Sequence, residues 1–291
     1  MTPSIYIKTV KRKEWLQIIC RNRTLPNSCT ISDKVVISFA PSIKKENLEA
    51  FHIVLLSCLI AEIKAKNYLV QIKASQHLMD FLFADISIRE YWGENPVPHT
   101  DSPDAHRLNL WRITDVGKES YTISVGQYFQ KHFPQHDVSF ITTALNELYY
   151  NVFDHANARG NAFSYIYYSE DERRVYIAVC DFGEGVAKTL RRRFSQYNTD
   201  AIALEKAIEK GISAGTRDHN RGFGLDDICS SLAENDTFRM LSNKGFLFIK
   251  GNCKKSFNIN DFDFDGTLIY FDVSTENSEI DEVLGSFSLD D

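Results

Sequence analysis

The sequence predicts an α/β protein in two parts. A smaller N-terminal α/β domain spans residues 1–92, a Pro-rich linker spans 93–105, and an α+β two-layer sandwich, a mixed sheet backed by helices, spans 106–273. Three observations predict it. Strand-like and helical stretches alternate between residues 34 and 83, the pattern of a small parallel or mixed sheet. Pro96, Pro98 and Pro103 gather beside Gly93. Beyond them a long amphipathic helix precedes two strand-length apolar segments spaced as a hairpin.

Residues 34–40 (Lys-Val-Val-Ile-Ser-Phe-Ala) give the first strand signal, and 45–66 reads as a helix burying Leu48, Phe51, Leu55, Cys58 and Leu59 on one face. Residues 68–72 read as a second strand and 76–83 as a short helix. Ser42, between strand and helix, is placed to cap. After the linker come a strand near 108–114, a helix near 125–132, and a helix over 137–158, whose first turn Asp137 can cap. Ile141, Leu145, Leu148 and Val152 form its buried stripe. The hairpin is 163–168 with 175–181, and strands at 246–250 and 268–273 complete the sheet. Residues 186–221, with the basic run Arg191-Arg192-Arg193, are expected to form a mobile span. The tail 274–291, with six acids and no Lys or Arg, is expected to be mobile too.

Composition narrows the function classes. The 291 residues are 43% hydrophobic and 25% charged, the balance of a soluble globular protein. No apolar run reaches the roughly 18 residues of a membrane span; the stretch 51–63 is interrupted by Ser57 and Glu62. Residues 1–13 lack an apolar block after their basic residues, which argues against a secretory signal. The six cysteines are dispersed with no Cys-x-x-Cys pair, as expected of free thiols in a cytoplasmic protein. Net charge is +4 over residues 1–100 and −10 over the remainder. The acidic part argues against a nucleic-acid partner, which requires phosphate neutralisation.

Three motifs carry the chemistry. The first is Glu147-x-x-x-Asn151-x-x-Asp154-His155. On a helix, Glu147, Asn151 and Asp154 fall within about 60° of one another, away from the apolar stripe. An Asn oxygen suits Mg²⁺, which shares oxygen ligands with nucleotide phosphates, and Glu147 suits a general base acting on a water or hydroxyl. The second is Asp181-Phe182-Gly183-Glu184-Gly185. Val175, Ile177, Val179 and Asp181 share one side of a strand, so Asp181 is a carboxylate at the end of a buried row. Such a group needs a donor, and a ligand's exocyclic amine is one; the glycines let backbone approach a ring. The third is Arg221-Gly222-Phe223-Gly224-Leu225, glycines opening a helical run through Ile228 and Leu232, where free N–H groups can face phosphate. It is neither a dinucleotide fingerprint nor a Walker loop. Taken singly, these stretches also fit a solvated helix face or an Asp-rich turn.

Together and in this order the motifs resemble those of the GHKL (histidine-kinase-like, Bergerat-fold) ATPase superfamily, over roughly residues 106–273. Gly266-Thr267 before the strand at 268–273 is similar to the Gly-Thr that closes the family's adenine pocket. The resemblance implies ATP and Mg²⁺ as cofactors, Glu147 as general base and Asn151 as metal ligand. It also implies Asp181 and Thr267 at the adenine, with Gly183 and Gly185 in the first glycine box and Gly222 and Gly224 holding phosphates. Within the superfamily, Glu147, Asn151, His155 and Ala156 look most like anti-sigma-factor serine kinases. The N-terminal alternation resembles, without a specific motif, the STAS-type domains that accompany such switches; there Ser42 is where a phosphoacceptor would stand. The expected function is a Mg-ATP-dependent serine/threonine kinase acting on a protein partner, with an ATPase-driven clamp or a nucleotide sensor as alternatives. A homodimer is left open.

Overall fold

The computed structural model describes residues 3–28, 30, 32–92, 107–114, 116–132, 134, 142–143, 145, 148–149, 162–209, 224–261 and 263–275. The whole of the expected linker, 93–105, and the tail beyond Thr275 lie outside them. The described residues form an α+β structure containing two sheets.

The N-terminal sheet is parallel, in the order β1 (Ser4–Ile7), β2 (Lys34–Phe39), β3 (Leu69–Lys73). The sequence pattern does not announce β1, which is only four residues long. Nor does it announce α1 (Arg12–Asn22), whose buried Trp15, Leu16 and Ile19 sit among charged neighbours. The helix expected over 45–66 divides. Lys45–Asn47 is a single 3-10 turn, and extended backbone at Leu48 and Glu49 separates it from α2 (Ala50–Ala65). Glu49 takes the cap, its N–H donating to His52 Nδ1 at 2.9 Å, so the exposed Ser42 caps no helix. A short helix, α3 (Gln76–Asp80), follows β3 and runs on into a π-turn over Phe81–Asp85.

The expectation of a one-sided α2 fails in an informative way. Every residue from Ala50 to Ile60, and Ile63, is buried. A helix apolar on all sides needs cover on all sides. α2 finds it by packing against β3 and α1, and also against strands β5 and β6 of the second sheet.

That sheet has seven strands in the order β4-β5-β6-β10-β7-β8-β9. They are β4 (Arg107–Ile113), β5 (Ala162–Ser169), β6 (Arg174–Asp181), β7 (Thr237–Asn243), β8 (Gly245–Lys250), β9 (Cys253–Asn258) and β10 (Phe264–Ser274). Every neighbouring pair is antiparallel, so the expected mixed sheet is corrected. The reason is connectivity. Short turns join β5 to β6, β7 to β8 and β8 to β9, and β10 returns between β6 and β7; short turns permit only antiparallel neighbours.

Both faces of the large sheet are covered. Phe163, Tyr165, Ala178, Cys180, Leu241, Leu268 and Tyr270 share a core with α2 and the N-terminal sheet. On the other face, Ile166, Val175, Ile177, Val179, Met240 and Ile269 pack with helices. These include α4 (Lys118–His132), longer than expected, and α5 (Val186–Arg193), α6 (Asp200–Ala207) and α7 (Gly224–Ser231). Thr142, Thr143, Leu145, Leu148 and Tyr149 are also helical, within the helix expected over 137–158.

The expectation of a mobile span at 186–221 is corrected for its described part. Val186, Ala187 and Leu190 of α5 and Ala203, Leu204 and Ala207 of α6 are buried on the sheet. Arg191 pairs with Asp200 at 2.7 Å and Arg192 with Glu184 at 2.8 Å. Residues 210–221 lie outside the described residues.

Because α2 is common to both sheets, Leu55→Ala is expected to cost about 2–5 kcal/mol and to destabilise them together. Urea unfolding followed in single-tryptophan variants retaining Trp15 or Trp111 should give one shared midpoint. Two separated midpoints would show that the sheets unfold independently.

Candidate functional site

β6 and β10 run side by side so that Asp181 is directly opposite Thr267. Two of the sequence motifs, far apart in the chain, thereby become one site. Asp181 is 0% exposed. Its Oδ1 accepts from Gly183 N at 2.7 Å and its Oδ2 from Thr267 N at 3.2 Å; the Thr267 side chain also hydrogen-bonds it. Burial nevertheless dominates, pushing the Asp181 carboxyl up to about 7, against the opposing pull of these donors and of the Arg23 charge. The donor that a buried carboxylate needs is thus supplied in part by the protein itself. A carboxylate has about four lone-pair directions, so acceptor capacity remains for a ligand.

The glycines are required by contact. Gly266 has φ +130°, and a Cβ there would lie 2.2 Å from the Asp181 carbonyl oxygen. Gly185 has φ +88°, and a Cβ there would lie 2.6 Å from Asn243 Oδ1 and from Ser242 Oγ. Ser242 and Asn243 end β7, and the sequence reading missed them. With Thr267 they serve α5 as a cap borrowed from other strands. Val186 N donates to Thr267 Oγ1 (3.2 Å), Ala187 N to Ser242 Oγ (3.3 Å) and Lys188 N to Asn243 Oδ1 (3.0 Å). Asn243 Nδ2 returns a bond to the Glu184 carbonyl at 3.1 Å. The first turn of α5 thus spends three N–H groups inside the protein, which removes them as phosphate donors. The available signal was a polar Ser-Asn pair ending an apolar strand.

The other predicted residues divide. α7 begins at Gly224, with Leu225 and Ile228 buried under the sheet, so the helix expected after the second glycine box is present. Arg221, Gly222 and Phe223 lie outside the described residues, as do Glu147, Asn151, Asp154 and His155. The structure thus brings together Asp181, Gly183, Gly185 and Thr267 of the expected set. Around the first motif it describes the buried anchors: Leu145, Leu148 and Tyr149. Tyr149 and Tyr121 both donate to Ser164 Oγ at 2.8 Å, a hydroxyl cluster joining α4, β5 and the motif segment. Burial raises both phenols, Tyr121 to about 12. Tyr149 was legible as an anchor, since it follows Leu145 by one helical turn.

Among the described residues no group of three or more His, Cys, Asp or Glu side chains could hold a metal ion, and the expected ligand, Asn151, is outside them. The five described cysteines are free, and no helix among the described residues is long and apolar enough to cross a membrane. No protein-family model matches the chain, and no curated protein is significantly similar to it.

The raised Asp181 pKa gives a signed pH prediction. Unfolded, the group ionises near 3.9; folded, it ionises near 7. Its contribution to stability therefore falls as pH rises from about 4 to about 7 and is constant above. Asp181→Asn cannot titrate and turns an amide donor toward a backbone N–H, costing about 1–3 kcal/mol. The stability gap between wild type and variant should shrink from pH 5 to pH 8 in urea titrations. A gap independent of pH would contradict a titrating Asp181.

Proposed function

We propose that the chain binds Mg-ATP in a Bergerat-type pocket and is a serine/threonine protein kinase acting as a switch on a protein partner. The observation that carries the nucleotide part is the buried Asp181 paired across the sheet with Thr267, beside a Gly266 that has no room for a side chain. A buried carboxylate with acceptor capacity left over is a complement for an exocyclic amine. In this reading Gly183 and Gly185 shape the base end, while Arg221, Gly222, Phe223, Gly224 and Leu225 form the phosphate end at the start of α7. Asn151 would hold Mg²⁺ through its side-chain oxygen, with Asp154 and His155 beside it. Glu147 would take the proton from the attacking group. The kinase assignment rests on the sequence pattern of Glu147, Asn151, His155 and Ala156. γ-Labelled ATP separates it from its alternatives: label moves to a partner protein for a kinase and to free phosphate for an ATPase, and stays on the nucleotide for a sensor.

Mg-ATP at about a hundred times Kd should stabilise the fold by about 2.7 kcal/mol; no thermal shift with ATP or ADP, with or without Mg²⁺, would remove the pocket assignment. Glu147→Ala should keep nucleotide binding while turnover falls by about 10²–10⁴. Asn151→Ala should lose Mg²⁺-dependent affinity and turnover together. Wild-type turnover in Glu147→Ala would refute the proposed base.

The amine of adenine prefers the ionised carboxylate, so affinity should rise as pH increases through about 7, with a proton released on binding below that pH. Calorimetry at pH 6.5 in buffers of different ionisation enthalpy measures the proton directly. No buffer dependence would mean that Asp181 does not accept from the ligand.

A further inference from the structure

Phe182, between Asp181 and Gly183, is held by a residue from the far end of the chain. The Arg23 guanidinium lies 3.9 Å from the Phe182 ring centroid and 6.0 Å from that of Phe264. The two rings meet edge-on at 5.7 Å. Arg23 Nη1 donates to the carbonyl of Asp265, the residue before Gly266. Arg23 is itself fixed from behind. It is the C-cap of α1, its N–H donates to Ile19 O at 3.2 Å, and its carbonyl accepts from Lys66 Nζ at the end of α2. One side chain therefore touches both segments that frame Asp181, the 182–183 loop and the 265–266 turn.

We propose that Arg23 is a positioning residue of the nucleotide site, contributed by the N-terminal region: it clamps Phe182 and the Asp265 carbonyl and brings its positive charge to the segments that frame Asp181. The inference rests on the adenine-nucleotide reading above. Arginine suits the task because a planar guanidinium stacks on a ring while its edge still donates, which a lysine ammonium cannot do.

The charged and titratable neighbours of Asp181 are few among the described residues. Arg23 comes from α1 and is the one cation acting on it. α2 brings the Cys58 thiol, which donates to the Cys180 carbonyl at 3.3 Å. β6 brings the Cys180 thiol, raised well above its usual range by burial and therefore neutral. β10 brings the neutral donors of Thr267, and Asp265 turns its side chain to solvent. The pull of Arg23 on Asp181 is smaller than that of burial and of the Gly183 and Thr267 N–H groups, and it acts in the same direction as those donors.

The test is Mg-ATP binding by calorimetry from pH 5.5 to 8.5 for wild type, Arg23→Lys and Arg23→Gln. For wild type the affinity should rise through a midpoint near 7. Arg23→Gln should move that midpoint upward by about 0.5–1 unit and weaken binding at pH 7 by about threefold to tenfold. Arg23→Lys should keep the midpoint and lose affinity evenly at every pH. Equal losses in both variants with an unmoved midpoint would overturn the inference while leaving the nucleotide reading intact. If wild type binds no nucleotide at any pH, the nucleotide reading fails, and this positioning role with it. The charge effect has a ligand-free readout, the ¹³C carboxyl titration of Asp181. A titration midpoint unchanged in Arg23→Gln would overturn that effect.

Discussion

A helix that is apolar on every side has no stable position at a surface, and α2 is such a helix. It needs a sheet on each side, and the two sheets of this protein are that cover. Much else follows. Trp15 of α1 packs edge-on against His52, whose other ring nitrogen bonds the Val10 carbonyl, so α1 is held to the start of α2. Arg12 pairs with Glu49 and lies over the Tyr270 ring of β10, so the same end of α2 is held to the large sheet. Burying so many large aliphatic side chains contributes roughly 1.5–3 kcal/mol each, far more than any surface ion pair here.

The cost of covering both faces of the large sheet is that a carboxylate at the end of β6 is sealed away from water. Asp181 offsets that cost with two backbone N–H groups and a hydroxyl, and still titrates near neutrality. Gly266 lets the backbone before Thr267 lie against the Asp181 carbonyl at close range. Ser242, Asn243 and Thr267 spend their polar atoms on the first turn of α5. The site is therefore preorganised by groups that satisfy one another. Arg23 belongs to the same arrangement, since it brings a charge from the end of α1 to a buried carboxylate.

Legibility followed physical range. The row Val175, Ile177, Val179 and Asp181 was readable because side chains alternate along a strand, and the burial of Leu145 and Leu148 because apolar residues recur at helical spacing. The glycines at 183 and 185 were readable as a tight loop. By contrast, β1 was too short to give a period, and α2 was read as one-sided because nothing local says that a second sheet lies behind it. The basic run 191–193 was read as part of a mobile span because the ion partners of Arg191 and Arg192, Asp200 and Glu184, are fixed only when α5 and α6 pack.

By itself the sequence determined the strand that ends at Asp181, the helix that starts at Gly224, and the buried position of Asp181. These depend on periodicity and on glycine stereochemistry, which act over a few residues. The tertiary structure alone decided that Thr267 faces Asp181, that Ser242 and Asn243 cap a helix from another strand, and that Arg23 reaches Phe182. Each is a contact between residues some 50 to 240 positions apart. No local propensity encodes such a contact; it exists only once a shared core, here the one around α2, has fixed the distances.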